Sequence, residues 1–213
     1  MPRSQKQPKL PTEVRQASLI EAALALAAQR SPADITTGDL AQAVGITQGA
    51  VFRHFASKEA IWLAVLDWVT DTLMARLQTA ADGAALAEQQ KPNPLAALQA
   101  VFLAHVDFVM AHPGVPRVIF QELQHAQDTL LKARVRGLMQ QYRLLIADLL
   151  QRAQAQGLLV PEADLQAATV LFVGSIQGLV MQSLLSGQVS AMAAQAPGVF
   201  AIYLRGLIVR ETP

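Results

Sequence analysis

Apolar residues recur at helical spacing along nearly the whole chain, and short segments rich in proline and glycine separate one run from the next. Alanine and leucine, the best helix formers, carry most of the apolar content. The aromatic residues that strands favour make up only 5% of the chain. No segment alternates apolar and polar residues as a half-buried strand does. The sequence therefore predicts an all-α protein.

The breaks between the runs predict about nine helices. Thr36 and Asp39 form a capping-box-like pair at the start of the second helix, and Gly45 suits the left-handed conformation that ends it. Thr12 and Thr47 can cap the first and third helices. A Pro-Gly pair at 197–198 either interrupts or precedes the last one. The expected helices span residues 12–29, 36–44, 47–55, 58 to about 79, 95–111, 115–125, 128–156, 163–186 and a last segment ending near 210.

Composition excludes several classes of protein. Hydrophobic residues make up 52% of the chain and charged residues 15%, so a sizeable core is expected and disorder is excluded as the main state. The absence of cysteine excludes disulfides, thiolate metal sites and cysteine nucleophiles. No His-Glu-x-x-His pattern, glycine-rich phosphate loop or Gly-x-Ser-x-Gly elbow is present, so neither an enzyme nor a bound cofactor is expected. A metal or haem site on His105 and His112, two helical turns apart, is a weaker alternative.

The net charge of +1 conceals a basic N-terminal segment. Residues 1–58 carry seven basic and four acidic side chains, which suggests a local site for a polyanion. The polar N-terminus predicts no signal peptide. Residues 165–185 are apolar and long enough to cross a membrane, but three glutamines interrupt them. A buried helix is therefore expected there, in a cytoplasmic protein with no membrane partner.

Residues 36–55 have the pattern of two short helices joined by a tight turn at Gly45. The positions where two steeply crossing helices would touch are small or apolar: Leu40, Ala41, Val44, Ile46 and Val51. This is the helix-turn-helix arrangement, in which the second helix enters the major groove of DNA. The alternative is an ordinary helical hairpin, which is common in all-α proteins.

Four stretches in and around this hairpin carry a resemblance to a known family: Thr36-Thr37-Gly38-Asp39-Leu40-Ala41, Val44-Gly45-Ile46-Thr47, Val51-Phe52-Arg53-His54-Phe55 and Ser57-Lys58-Glu59-Ala60-Ile61. The chain resembles the tetracycline-repressor (TetR) family over residues 12 to about 70. The resemblance implies a basic arm and three-helix DNA-binding domain over residues 1–57. A helical ligand-binding and dimerisation domain would follow over residues 58–213.

The same resemblance implies a function and partners. It implies a transcriptional repressor that binds a palindromic operator in double-stranded DNA as a homodimer, because one recognition helix per chain reads only one half-site. A small hydrophobic effector would release the protein from DNA. A regulator that binds DNA or a partner protein without any effector is the alternative.

Side-chain chemistry assigns roles on the expected DNA surface. The Gln48 amide can pair bidentately with adenine, so it is the expected base reader. Lys58 matches the family's lysine that meets the DNA backbone, and Phe52 stands where the family often has tyrosine. Thr37 either binds phosphate or only caps its helix. The expected DNA-binding residues are Thr36, Thr37, Thr47, Gln48, Gly49, Ala50, Phe52, Arg53, His54 and Lys58, with Arg3, Lys6 and Lys9 as possible additions from the arm.

The later helices are expected to hold the effector and the dimer interface. Methionine and aromatic side chains suit an apolar ligand, although most of those named here are expected to belong to the core. The expected cavity lining is Phe102, His105, Phe108, Val109, Phe120, Gln121, Met139, Tyr142, Phe172, Gln177 and Met181. A helix that is apolar nearly all round, as over 165–185, must be buried by more than its own subunit. The expected dimer contacts are Leu165, Thr169, Ile176, Leu179, Val180, Ser183, Ile202 and Tyr203.

Overall fold

The structure is a computed structural model, and it describes residues 11–86 and 93–208. Within these ranges the only extended pairing is one antiparallel bridge between Leu159 and Ile208, so the all-α prediction is confirmed. A short 3-10 helix, Pro32–Asp34, follows the first α-helix. The α-helices are α1 (Thr12–Ala27), α2 (Thr37–Ala43), α3 (Gln48–Val51), α4 (Lys58–Leu86), α5 (Pro94–Ala111), α6 (Gly114–Gln124), α7 (Leu130–Ala155), α8 (Leu165–Ser186) and α9 (Ala191–Arg205).

Local hydrogen bonds explain where α2 begins and ends. The Thr36 hydroxyl accepts a bond from the backbone N–H of Asp39 at 3.1 Å, and the Asp39 carboxylate accepts one from the N–H of Thr36 at 2.7 Å. The predicted capping box is therefore confirmed. The bonds from Thr36, with an ion pair to Arg30, lower the pKa of Asp39 to about 2. Gly45 follows the helix with a φ of +68°, as predicted for a left-handed turn.

Several helix boundaries differ from the prediction, and α4 extends to Leu86 instead of ending near residue 79. Pro11, not Thr12, is the N-cap of α1, and no side chain among the described residues caps that helix. α3 ends at Val51, because residues 52–54 form a turn rather than a further helical turn. α9 runs through Pro197, which supplies no helical N–H, and ends at Arg205. Its four buried side chains lie along one helix face and pack into the core, which offsets that loss: Met192, Ala196, Phe200 and Tyr203.

α4 connects the N-terminal helices to the rest of the molecule. It packs against α1, α5 and α7. The core beyond it includes a group of aromatic rings from α5, α7, α8 and α9: Phe102, Tyr142, Phe172, Phe200 and Tyr203. α5 and α8 are long and apolar enough to cross a membrane by length and composition alone. Both contact α7 and α9 as parts of this bundle.

Candidate DNA-binding surface and ligand cavity

α2 and α3 form a closely packed pair with one exposed edge. Leu40, Ala41 and Val51 are buried between them, and the N–H of Ile46 bonds to the carbonyl of Ala41 at 2.9 Å across the turn. The N-terminal end of α3 is exposed at Thr47, Gln48 and Gly49. This arrangement leaves the first turn of α3 free to approach another molecule, as a recognition helix requires.

Two of the expected DNA-binding side chains are hydrogen-bonded to each other. The Gln48 amide donates to the Thr37 hydroxyl at 2.8 Å, and Thr37 is largely buried at the start of α2. The Thr47 hydroxyl accepts from the N–H of Ala50 at 3.3 Å, so its capping role is confirmed. The Gln48 side chain is therefore oriented before any DNA binds.

The other expected DNA-binding residues lie in different environments. Phe52 and Arg53 are exposed, whereas Ala50 is buried in the interior of the small domain. His54 is half-buried, and its Nδ1 has no hydrogen-bond partner among the described residues. Lys58 donates from Nζ to the carbonyl of Ala33 at 3.0 Å, so its ammonium group lies over the 3-10 helix. Arg3, Lys6 and Lys9 lie outside the described residues.

A cavity of about 860 Å³ lies among α5, α6, α7 and α8, with Leu73 of α4 on one wall. This volume falls within the range of sites for drug-sized ligands. Seven of the eleven residues expected to line a cavity do line it: His105, Phe108, Val109, Phe120, Met139, Tyr142 and Gln177.

The other four expected lining residues lie elsewhere. Phe102 and Phe172 are fully buried in the aromatic core, where their rings meet at 5.3 Å. Met181 is exposed on the outer face of α8. Gln121 faces the N-terminal helices instead of the cavity, because its side-chain oxygen accepts a hydrogen bond from the N–H of Ala33 at 2.9 Å.

Of the cavity residues on α6, sequence analysis identified Phe120 and missed the others. Val115, Ile119 and Leu123 of α6 line it at intervals of four residues, which is one face of a helix. This spacing is visible in the sequence and could have identified them. Val118 and Glu122 are buried on a different face of the same helix.

The cavity contains one buried polar pair. Nδ1 of His105 lies 3.0 Å from the Tyr142 hydroxyl. Burial lowers the pKa of His105 to about 4, so the imidazole is neutral at neutral pH. Burial, and to a lesser degree the nearby Tyr203, raise the pKa of Tyr142, so its hydroxyl stays protonated. The described residues contain no group of side chains suited to a metal ion, and His105 and His112 do not converge on one.

The expected dimer residues are mostly buried within the single chain. Leu165, Thr169, Ile176 and Val180 line the cavity, and Leu179, Ser183 and Tyr203 are buried, while Ile202 is exposed. A different stripe on the outer face of α8 and α9 is apolar and exposed: Leu171, Gly174, Gly178, Met181, Leu185 and Ile202. We call it the α8–α9 stripe. In a helix that is apolar nearly all round, helical periodicity does not distinguish one face from another. The sequence pattern therefore did not show which face of α8 points into the molecule.

α6 connects the cavity to the DNA-binding helices. A Cβ atom at Gly114 would lie 2.2 Å from the carbonyl oxygen of Leu24, so the backbones of α6 and α1 approach closely there. About two turns further along α6, Gln121 bonds to Ala33 in the 3-10 helix. The helix that walls the cavity thus also contacts two N-terminal elements directly.

Comparison with known proteins matches both parts of the chain. Residues 19–65 match the model of bacterial regulatory proteins of the tetR family, and residues 91–181 match that of a tetracyclin repressor-like C-terminal domain. The nucleoid occlusion factor SlmA of Glaesserella parasuis is 29% identical over 147 residues, covering 68% of this chain and 69% of that protein. The transcriptional repressor KstR2 of Mycobacterium tuberculosis is 29% identical over 150 residues, covering 70% and 72%.

A solved structure shows the same fold. The transcriptional regulator FadR of Bacillus subtilis, in complex with stearoyl-CoA, superposes with a TM-score of 0.74 at 17% identity, over 89% of this chain and 98% of that one. The two family models together span more than half of the 213 residues, and the helix-turn-helix occupies the part that the first model matches. The chain belongs to the TetR family of bacterial regulatory proteins.

Proposed function

We propose that this protein is a cytoplasmic repressor that binds a palindromic operator as a homodimer and leaves it when a small hydrophobic molecule fills the cavity. The observation that carries the proposal is the pairing of an exposed α3 N-terminus with an 860 Å³ apolar cavity in one chain. In this proposal residues 1–57 bind DNA, and residues 58–213 bind the ligand and the second subunit. Operator binding itself requires no enzymatic chemistry.

The DNA-binding half of the proposal rests on Gln48 and its neighbours. Gln48 projects from the first turn of α3, from which recognition helices reach base edges. Its hydrogen bond to Thr37 holds the amide in one orientation, which reduces the entropy lost on contact with adenine. The exposed Arg53 and the half-buried Lys58 supply positive charge for phosphates on either side.

The effector half rests on the cavity and on two relatives. The cavity wall is mainly apolar, and the B. subtilis FadR structure holds stearoyl-CoA, a ligand with a long apolar chain. KstR2 is named as a repressor, which supports the direction of regulation proposed here. SlmA is named as a nucleoid occlusion factor, which supports the alternative of a DNA-binding protein that needs no effector.

Two helices can transmit ligand binding to DNA. α4 carries Leu73 on the cavity wall and Lys58 at its N-terminus beside the DNA-binding helices. α6 carries Ile119 on the wall and Gln121 on the contact with Ala33. A ligand that separates α6 from α7 would shift both contacts and change the spacing of the two recognition helices. Small shifts suffice, because both helices must enter successive major grooves together.

The experiment that tests the function combines operator selection with effector screening. Selection from random duplexes should yield a palindrome. A plot of the logarithm of the binding constant against the logarithm of the salt concentration should be linear, with a slope that steepens by about 0.9 for each phosphate contacted.

Effector screening follows on the selected DNA. Compounds that raise the melting temperature of the protein should release it from this DNA. Ala147→Phe, which fills the cavity wall, should abolish release, while Ala133→Phe, outside the cavity on the same helix, should not. Release by no compound, with specific DNA binding intact, would favour the effector-independent alternative.

We expect Gln48→Ala to relax base preference at one or two positions of each half-site, at a cost of about 1–3 kcal/mol there. Arg53→Ala should instead weaken all sequences about equally and flatten the salt dependence, because phosphate contacts carry no base information. Binding-site selection with each variant measures this difference. An unchanged motif for Gln48→Ala would refute its role as base reader, and Gln29→Ala, at the exposed end of the first helical segment, is the neutral control.

We expect Leu171→Glu to convert the dimer into a monomer. Leu171 is an exposed member of the α8–α9 stripe, and an unpaired carboxylate buried between two subunits costs several kcal/mol. The dissociation constant of the dimer should therefore rise at least about a hundredfold. Analytical ultracentrifugation measures it, with Leu130→Glu, also exposed but at the start of α7, as the control. An intact Leu171→Glu dimer would place the interface elsewhere.

A further inference from the structure

We propose that the cavity takes an amphipathic anion: an acyl chain that fills the apolar interior, with its anionic head at the edge between α7 and α8, paired with Arg143. This inference rests on the proposed function and names the chemical class of its ligand. Three features of the lining support it: the sign of its charges, their position, and the polar pair in the interior.

The charges on the described cavity lining are all positive. Arg136 and Arg143 line it, and no aspartate or glutamate does. Elsewhere on the same helix, arginines are compensated: Arg134 pairs with Asp67 and Arg152 with Asp148. A lining that carries only positive charge favours an anion and disfavours a cationic ligand by like-charge repulsion.

Both arginines lie at one open edge of the cavity. Arg136, Gln140 and Arg143 are spaced four and three residues apart, so they share a face of α7, and all three are exposed. The exposed lining also includes three glutamines and three apolar side chains: Gln151, Gln166, Gln177, Leu123, Leu144 and Val170. The lining from α5, by contrast, is largely apolar and buried. A ligand matched to this distribution is polar at one end and apolar along the rest.

Arg143 is the main candidate for the head group. Arg136 is already held by Asp128 at 2.6 Å, so part of its charge is compensated within the protein. Arg143 has neither an ion pair nor a side-chain hydrogen bond among the residues that the structure describes. A carboxylate or phosphate can therefore form a charge-assisted, bidentate pair with its guanidinium without displacing a protein partner.

The interior adds one uncharged polar contact. His105 and Tyr142 are bonded to each other, and as neutral groups they hold two exchangeable protons between them, of which their mutual bond uses one. The other is free to donate to a carbonyl or hydroxyl oxygen on the ligand. A second charge is disfavoured at this depth, because the only charged residues of the described lining, Arg136 and Arg143, are exposed at its edge.

Two kinds of ligand combine an acyl chain with an anionic head group: a free fatty acid and an acyl thioester of a phosphorylated carrier. The test uses dodecanoate, dodecanoyl-CoA and uncharged dodecanol, each below its aggregation concentration, in calorimetric titrations of the full-length dimer. We expect at least one of the two anions to bind at least tenfold more tightly than dodecanol. Arg143→Gln should weaken that anion at least tenfold and leave dodecanol within twofold. Preference for dodecanoate identifies the free acid as the source, and preference for the thioester identifies the carrier.

Matched variants separate this inference from the proposed function. Arg136→Gln should have a smaller effect than Arg143→Gln, and Arg152→Gln, on the same helix but outside this cavity, should have none. Equal binding of dodecanol and both anions, unchanged anion binding by Arg143→Gln, or no binding of any probe would overturn the inference. Operator binding by the same proteins without probe is measured in parallel. Its loss would refute the proposed function, whereas its retention leaves that function standing with a different ligand class.

Discussion

Replacing Gly114 with alanine should lower the free energy of unfolding by about 3 kcal/mol, at the upper end of the usual cost of overpacking. The new methyl carbon would lie 2.2 Å from the carbonyl oxygen of Leu24 and 3.0 Å from the backbone nitrogen of Ala28. Both are backbone atoms, so no side-chain rotation relieves the clash. α6 must then move away from α1, which also weakens the contact through which the cavity would influence the DNA-binding helices.

Gly137→Ala is the matched control for this prediction. Gly137 lies within α7, and a Cβ atom there meets nothing within 4 Å. Alanine should therefore raise the free energy of unfolding by about 0.5–1 kcal/mol, because glycine loses more backbone entropy on folding. Urea denaturation of the two variants measures both values. Equal effects of the two substitutions would show that the α1–α6 contact is not tightly packed.

The second large effect concerns acid. We expect the free energy of unfolding to fall by about 3 kcal/mol between pH 7 and pH 4 on account of His105 alone. The folded pKa of His105 is about 4, below its ordinary value of 6.5. Above pH 6.5 the imidazole is neutral in both states and contributes nothing. As the pH falls below 6.5, His105 becomes protonated in the unfolded chain but stays neutral in the folded chain. The free energy of unfolding therefore decreases progressively down to about pH 4.

His105→Gln tests this assignment, because an amide can keep a hydrogen bond to Tyr142 but does not titrate in this range. Its free energy of unfolding, measured from urea curves across pH 4–7, should depend much less on pH than that of the wild type. Burial also lowers the pKa of His112, with a smaller contribution from Arg76, so a residual slope of the same sign is expected. A His105→Gln variant that retained the full slope would refute the prediction.

Much of the fold followed from local rules. The Thr36–Asp39 capping box and the left-handed Gly45 depend on neighbours within a few residues, and both were predicted and observed. α9 shows the limit of such rules. Pro197 is a local signal for a break, yet the helix continues because Phe200 and Tyr203 pack into the aromatic core from its later turns.

The same limit applies to the expected DNA contacts. Thr47 was expected to cap α3 and does so, because a cap needs only the N–H groups of the next turn. Lys58 was expected to meet DNA, but in the free protein its ammonium group bonds to the carbonyl of Ala33, 25 residues away. A sequence pattern contains no information on such a partner. That Lys58 leaves the Ala33 carbonyl to contact DNA stays a prediction.

By itself, the sequence determined that the chain is helical, where most helices lie and that its N-terminal part is a helix-turn-helix, because helical period, caps and tight turns act over a few residues. Only the tertiary structure decided which apolar residues form a cavity and which form the core. Phe102 and Phe108 lie on the same helix, and both are buried, yet only Phe108 lines the cavity. Helical periodicity predicts only that a side chain is buried. Whether it then meets another side chain or an open space depends on how the axes of α5, α7 and α8 cross, which is set by contacts far apart in the chain.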